Sequence, residues 1–213
     1  MDILEIMKER HSVRQYKSQA IEPSKREEIN ALIKAVNEES KLSIQVFYDE
    51  PKCFDSFMAH YGKFENVKNY IAIVGNKNEQ EKAGYYGEKI VLKCQELGLN
   101  TCWVAMTHGK SKAEIKKGQK LLIIISLGYG KTQGVPHKSK KITELGKVDQ
   151  STEWFAKGME AVSLAPTAVN QQKFLFELKK GKVTVKNLGG FYSKIDLGIA
   201  KYHFEAVTGH EVK

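Results

Sequence analysis

The residues best equipped for chemistry lie in "ERHSVRQY", Glu9 to Tyr16, where Arg10, His11, Ser12 and Arg14 crowd into a few positions. Each arginine offers a planar fork of N–H donors and a permanent charge. Serine adds a short hydroxyl donor and histidine a further nitrogen. Such a set suits an anion, above all a phosphate, because charge-assisted hydrogen bonds are the strong ones. In extended backbone, alternate side chains share a side, so Arg10, Ser12 and Arg14 are expected to form one line of donors. The competing reading is a basic helix end, where cations meet the negative pole of the helix dipole.

A second group lies in "LAPTAVNQQKFLFEL", Leu164 to Leu178, where Asn170, Gln171 and Gln172 precede a strand. Side-chain amides donate and accept together, which suits the edge of a planar heterocycle such as a flavin pyrimidine ring. The alternative is a helix-to-strand loop whose amides cap backbone. Other motifs point away from catalysis by side chains. "LGYGKTQG" is Gly128-x-Gly130-x-x-x-Gly134, not the GxGxxG of a dinucleotide fold, and "VPHKSKK" follows where a helix should open. It reads as a turn leaving a strand. The sequence contains no Walker A, GxSxG or HExxH motif. Cys53, Cys94 and Cys102 are odd in number, without CxxC spacing, and Cys94 and Cys102 read as inert core thiols. No metal site is expected, and the sequence names no catalytic nucleophile or base.

The elements that must position these groups follow from periodicity. Asp2 to Lys8 reads as a short helix and Pro23 to Glu38 as a longer one, with Ile29, Leu32, Ile33 and Val36 on one face. Strands are expected over Ser43–Asp49, Tyr70–Asn76, "NTCWVAM" and Lys120–Leu127. A helix carrying Ile90, Val91, Cys94 and Leu97 should stop at Gly98. Glu50 to Asn69 reads as polar, aromatic-dotted and irregular, a candidate lid, and Lys131 to Asp149 as a basic loop. Thr152–Leu164 reads as a helix. "KFLFELKKGKVTVKN" reads as a hairpin around Gly181, and Tyr192–Thr208 as a closing helix. Helices and strands interleave with no composition break, so a single domain spanning residues 1–213 is the simplest organisation.

The bulk numbers agree with a globular chain: 213 residues, 41% hydrophobic and 28% charged. "LLIIISL" has the length of a buried strand, far short of the roughly 20 residues of a membrane helix. The N-terminus lacks a signal-peptide pattern, which leads to a cytoplasmic expectation. A net charge of +9 raises the case for a polyanionic partner. The lysines are nevertheless scattered in small groups, and no RRM, zinc-finger or helix-turn-helix pattern accompanies them, so nucleic acid is not the expected partner.

The two clusters together resemble the FMN-dependent nitroreductase family. "ERHSVRQY" is similar to that family's N-terminal signature and "APTAVNQQKFLFEL" to its "APSAxNxQPW" segment with the strand that follows. "GEKIVLKCQELGLNTCWV" resembles its central helix and "GLGTCW" strand entry, and "SLGYGK" its "GYP" loop. The common family places the "APSAxNxQPW" segment early. Here it comes near the C-terminus, and Lys173 and Phe174 stand for Pro and Trp, which marks a rearranged branch.

The resemblance implies an α+β, nitroreductase-like fold, a mixed and mainly antiparallel sheet flanked by helices, and a homodimer with flavin at the interface. It implies FMN as cofactor and NAD(P)H as reductant, with a nitroaromatic, quinone or similar small molecule as acceptor. It implies Arg10, Ser12 and Arg14 as flavin donors, Arg14 nearest the pyrimidine edge, with His11 in support. Asn170 and Gln172 would bond the flavin, and Lys138 and Lys140 would be further phosphate ligands. Two other readings stay open: an FMN protein of this fold serving flavin storage or flavin-specific chemistry, and a basic nucleic-acid-binding module.

Overall fold

A computed structural model describes residues 2–148 and 152–213. The larger sheet joins β1 (Ser43–Phe47), β2 (Asn69–Gly75), β3 (Asn100–Val104) and β4 (Lys120–Gly128) in the order β1-β2-β4-β3, with every pairing antiparallel. β2 and β4 are central and covered on both faces, which is why "NYIAIVG" and "LLIIISL" are almost unbroken apolar runs. Their alternation sorts two cores. Ile71, Ile73, Ile123 and Ile125 enter the main core, with Ile29, Ile33, Val91 and Cys94 among its helical residues. Tyr70, Ala72 and Ile124 enter a second, with Phe54, Phe64, Cys102 and Val104.

α1 (Ile3–Glu9) precedes the arginine-rich segment and α2 (Pro23–Ser40) follows it. α4 (Gln80–Glu96) ends in a Schellman motif. Gly98, at φ 74°, donates to Gln95, and Leu99 donates to Cys94 at 2.9 Å. α4 packs on α7 (Ser193–Thr208) at unusually close range. A Cβ at Gly84 would fall 2.0 Å from the Ile195 carbonyl, and one at Gly198 would fall 1.9 Å from the Glu81 carbonyl. Glycine is what lets the two backbones touch.

The smaller sheet has the order β5-β6-β7, where β5 (Gly146–Val148) runs parallel to β6 (Phe174–Lys179) and β7 (Lys182–Asn187) antiparallel. The hairpin turns on Lys180 and Gly181, both at positive φ. Phe174, Phe176 and Leu178 point inward to the same main core, near Phe204 of α7 and Met159 of α6 (Glu153–Ser163).

Two segments differ from the sequence expectation. Glu50–Asn69 is not irregular: it carries a 3-10 turn at Pro51–Cys53 and the helix α3 (Phe57–Tyr61), whose N-cap Ser56 accepts from the Ala59 amide. Cys53, Phe54, Ala59, Phe64 and Val67 are buried there, so Phe54 and Phe64 serve the second core while Phe57 and Tyr61 stay exposed. The Lys131–Asp149 stretch holds α5 (Ile142–Leu145) and β5; its last residue lies outside the described residues. Both elements are too short to leave a periodic signal, and β5 exists because β6 supplies its partner. Among the described residues, no helix is long and apolar enough to cross a membrane.

Candidate functional site

The segment after α1 is held against the larger sheet. Ser12 bridges Thr101, and the Val13 amide donates to the Thr101 carbonyl at 3.0 Å. Tyr16 is buried and its hydroxyl donates to the Val13 carbonyl at 2.7 Å. With Val13 and Tyr16 turned inward, Ser12 and Arg14 are left exposed. Both line a cavity of about 310 Å³ whose wall also includes Trp103, Met106, Ala168, Phe191 and Asp196. Its size lies at the lower end of the range for small-molecule sites. The expected alternation therefore holds for Ser12 and Arg14 but not for Arg10.

Arg10 is the C-cap of α1 and turns into the protein, only 3% exposed. Its Nε lies 3.9 Å from Oε1 of the fully buried Glu88. Glu88 Oε2 accepts from Trp103 Nε1 at 2.9 Å, and Oε1 lies 2.9 Å from His203 Nε2. His203 Nδ1 faces the Ala161 carbonyl at 2.8 Å. Both ring nitrogens of His203 thus face an oxygen. Burial opposes the charge on Glu88, but His203, Arg10 and the indole N–H outweigh it and hold the carboxyl below its ordinary value. Burial in turn draws Arg10 downward, against the pull of Glu88. The Nε and Nη1 of Arg10 have no hydrogen-bond partner. This network sits directly behind the Trp103 face of the cavity.

His11 is half-buried, its Nδ1 3.2 Å from the Gln133 carbonyl, and burial lowers its pKa. That contact fastens the Gly128–Gly134 loop, a turn as expected, in which the Gly130 amide donates to Asn100 Oδ1 at 2.9 Å.

The opposite lip of the cavity is Pro166–Val169. Val169, Asn170 and Gln172 all have positive φ, and Val169 is 83% exposed. β-branched residues avoid this conformation, so the turn is strained. The neighbouring amides are engaged within the protein. Asn170 Nδ2 donates to the Lys138 carbonyl at 2.9 Å. Gln172 Oε1 accepts from the Lys140 amide at 2.7 Å, while Lys140 Nζ donates to the Gln172 carbonyl at 3.0 Å. The structure thus brings Lys138, Lys140, Asn170 and Gln172 together as one stitched edge. None of the four lines the cavity wall.

A family model described as "Putative TM nitroreductase" matches residues 2–208. The chain belongs to this family. No curated protein matches it. Among solved structures, a "putative nitroreductase" from Thermotoga maritima is 25% identical, with a TM-score of 0.71 over 97% of this chain and 83% of that one. A "putative nitroreductase in complex with FMN" from Desulfovibrio desulfuricans is 14% identical, with a TM-score of 0.53 over 68% of this chain and 95% of that one. A "putative NADH dehydrogenase/NAD(P)H nitroreductase" from Bacteroides thetaiotaomicron is 20% identical, at 0.51 over 67% and 95%. The last two show the fold. The nitroreductase-like α+β architecture expected from the sequence is therefore the one observed.

In this nitroreductase-family chain, Met106, Phe191 and Asp196 of the cavity carried no sequence motif, and Trp103 closed the "GLNTCW" stretch without being assigned a site role. Asp196 and its buried relatives Glu88 and His203 did leave a signal. Each is a polar residue on the inward phase of an otherwise apolar helix face.

Proposed function

We propose that the chain is an FMN-dependent oxidoreductase that moves reducing equivalents from NAD(P)H to a nitroaromatic, quinone or similar acceptor. The observation that carries this reading is the meeting of Ser12 and Arg14 with Pro166–Val169 around one cavity, although these motifs lie at opposite ends of the sequence. The donor set fits a flavin phosphate and ring. Ser12 and Arg14 face the cavity, and the nearby Arg10 keeps two unmatched buried donors. Family membership and the FMN bound to the Desulfovibrio relative support the same cofactor.

Bound FMN would supply hydride acceptance and electron release, so no side-chain nucleophile is required. The chain's own residues bind and bias. Arg14 would supply a fixed cation for the negative charge of the reduced flavin. Arg10 adds positive charge close behind Ser12, His11 holds the neighbouring loop through Gln133, and the buried Glu88–His203 pair fixes Trp103 in the wall. Exposed Met106, Val169 and Phe191 form an apolar rim that sheds water and accepts a planar molecule.

The proposal extends to a homodimer in the cytoplasm, acting as one domain over residues 1–213. In such a dimer Lys138, Lys140 and Asn170 would complete the flavin site at the shared edge. These three are exposed, and the buried Gln172 braces them from within through Lys140.

Anaerobic mixing of the flavin-loaded protein with NADH or NADPH tests the reading. Bleaching of the flavin absorbance, followed by recovery on adding a quinone or nitroaromatic, is the expected result. A protein that holds FMN but is bleached by neither nucleotide is a flavin-storage or flavin-specific protein instead.

A further inference from the structure

Asp196 lines the same cavity and is used by none of the chemistry above. It is 4% exposed, in the first turn of α7. Its Oδ1 accepts from the Ala168 amide at 2.9 Å, and its Oδ2 accepts from Gln171 Nε2 at 2.7 Å. The same Gln171 nitrogen donates to the Phe191 carbonyl at 2.6 Å. One carboxylate therefore ties two separate parts of the rim, Ala168 on the strained lip and Phe191 before α7, to a helix packed backbone-to-backbone on α4. The lip is strained despite its own hydrogen bonds from Asn170, Gln171 and Gln172 to Thr167 and Ala168: Val169, Asn170 and Gln172 sit at φ 47°, 53° and 42°.

We propose that Asp196 is a positioning residue whose ionised carboxylate latches the rim of the cavity in its binding shape. This rests on the flavin reading for the identity of the occupant, but not for the latch itself. Both oxygens must accept. A protonated carboxyl offers one acceptor and turns a hydroxyl toward a donor, so one of the two ties is lost. Gln171 cannot compensate by rotating its amide, because its oxygen would then face the Phe191 carbonyl.

The charged groups around Asp196 leave its carboxylate to these neutral donors. Glu81 of α4 pairs with Lys201, and Glu88 with His203 and Arg10. Arg14 shares the cavity, Lys173 lies beside Gly190, and Lys194 of α7 is exposed. Among the described residues, no ion pair reaches Asp196. Burial, only partly offset by Ala168 and Gln171, raises its pKa from 3.8 to about 6. The latch accordingly loosens as pH falls through that value.

The test is amide hydrogen exchange, expressed as protection factors, on the chain without added flavin, for wild type and Asp196→Asn. Asparagine keeps the size and one acceptor, and so mimics the protonated state. Near pH 7.5 the variant should lose about fivefold or more of the protection at Ala168 and its neighbours. Wild type near pH 5 should approach the variant, and the variant should not respond to pH. Gln171→Ala should free the Phe191 side while leaving Ala168 protected. In a parallel titration, FMN should bind the Asp196→Asn chain about tenfold more weakly, with no fall in its unfolding midpoint.

Wild-type protection in Asp196→Asn, or a wild-type lip indifferent to pH, would overturn the proposal. So would a lowered midpoint with protection lost evenly across α7 and both sheets, which marks a residue that merely supports the fold. If wild type takes up no FMN while the exchange results hold, the latch stands and the flavin reading fails.

Discussion

At the scale of single residues, the most informative feature is a buried carboxylate held between an arginine and a histidine. Glu88 lies between Arg10 and His203 and also accepts from Trp103. Removing one member leaves the others buried and unmatched. Glu88→Ala is expected to cost about 3–5 kcal/mol, read as a lowered denaturation midpoint. The pH dependence has a definite sign. The folded pKa of Glu88 lies below its ordinary 4.5, so its contribution is complete above that pH and is lost as pH falls below it. Asp196 works the other way. Its rise from 3.8 to about 6 means that ionisation inside the fold costs stability, roughly 3 kcal/mol at neutral pH even with the Ala168 and Gln171 hydrogen bonds offsetting part of the burial. A residue kept charged at that cost beside a cavity is serving something other than stability. The donor pattern at residues 10–14 was legible because serine and arginine alternate in extended chain. The inward turn of Arg10 was not, since it depends on Glu88, remote in sequence.

At the scale of elements, the approach of α4 to α7 decides where the cavity wall and the Asp196 turn can sit. Alanine normally improves a helix interior over glycine by about 1 kcal/mol. At Gly198 the sign should reverse, because the new Cβ would lie 1.9 Å from the Glu81 carbonyl. Gly198→Ala is expected to destabilise by about 1–3 kcal/mol, measured by chemical denaturation; a gain in stability would show that the helices do not meet this closely. The long elements were readable from sequence because each carries its own period: Ile29, Ile33 and Val36 on α2, Phe174, Phe176 and Leu178 on β6. β5 and α3 were not, because their few residues gain structure only from β6 and from the second core. The strained turn at Val169 was equally hidden, for nothing in "TAVNQQ" announces three left-handed residues.

At the scale of the molecule, two sheets share one buried cluster running from Ile71 and Ile125 to Phe176 and Val183. That shared core carries the C-terminal "APTAVN" segment to the N-terminal "RHSVR" segment, so the rearranged motif order still yields one site. The net charge of +9 would favour capture of an anionic nucleotide or cofactor. The central claim is that this cavity holds FMN through Arg14 and Ser12. Its most direct test is a titration of FMN into flavin-free protein, followed by fluorescence, for wild type and Arg14→Ala. The account predicts saturation at one FMN per chain, and an affinity about tenfold to a hundredfold weaker in the variant, the range of a lost charged hydrogen bond. Failure of the wild-type chain to take up FMN, or an Arg14→Ala chain that binds it equally well, would contradict the account.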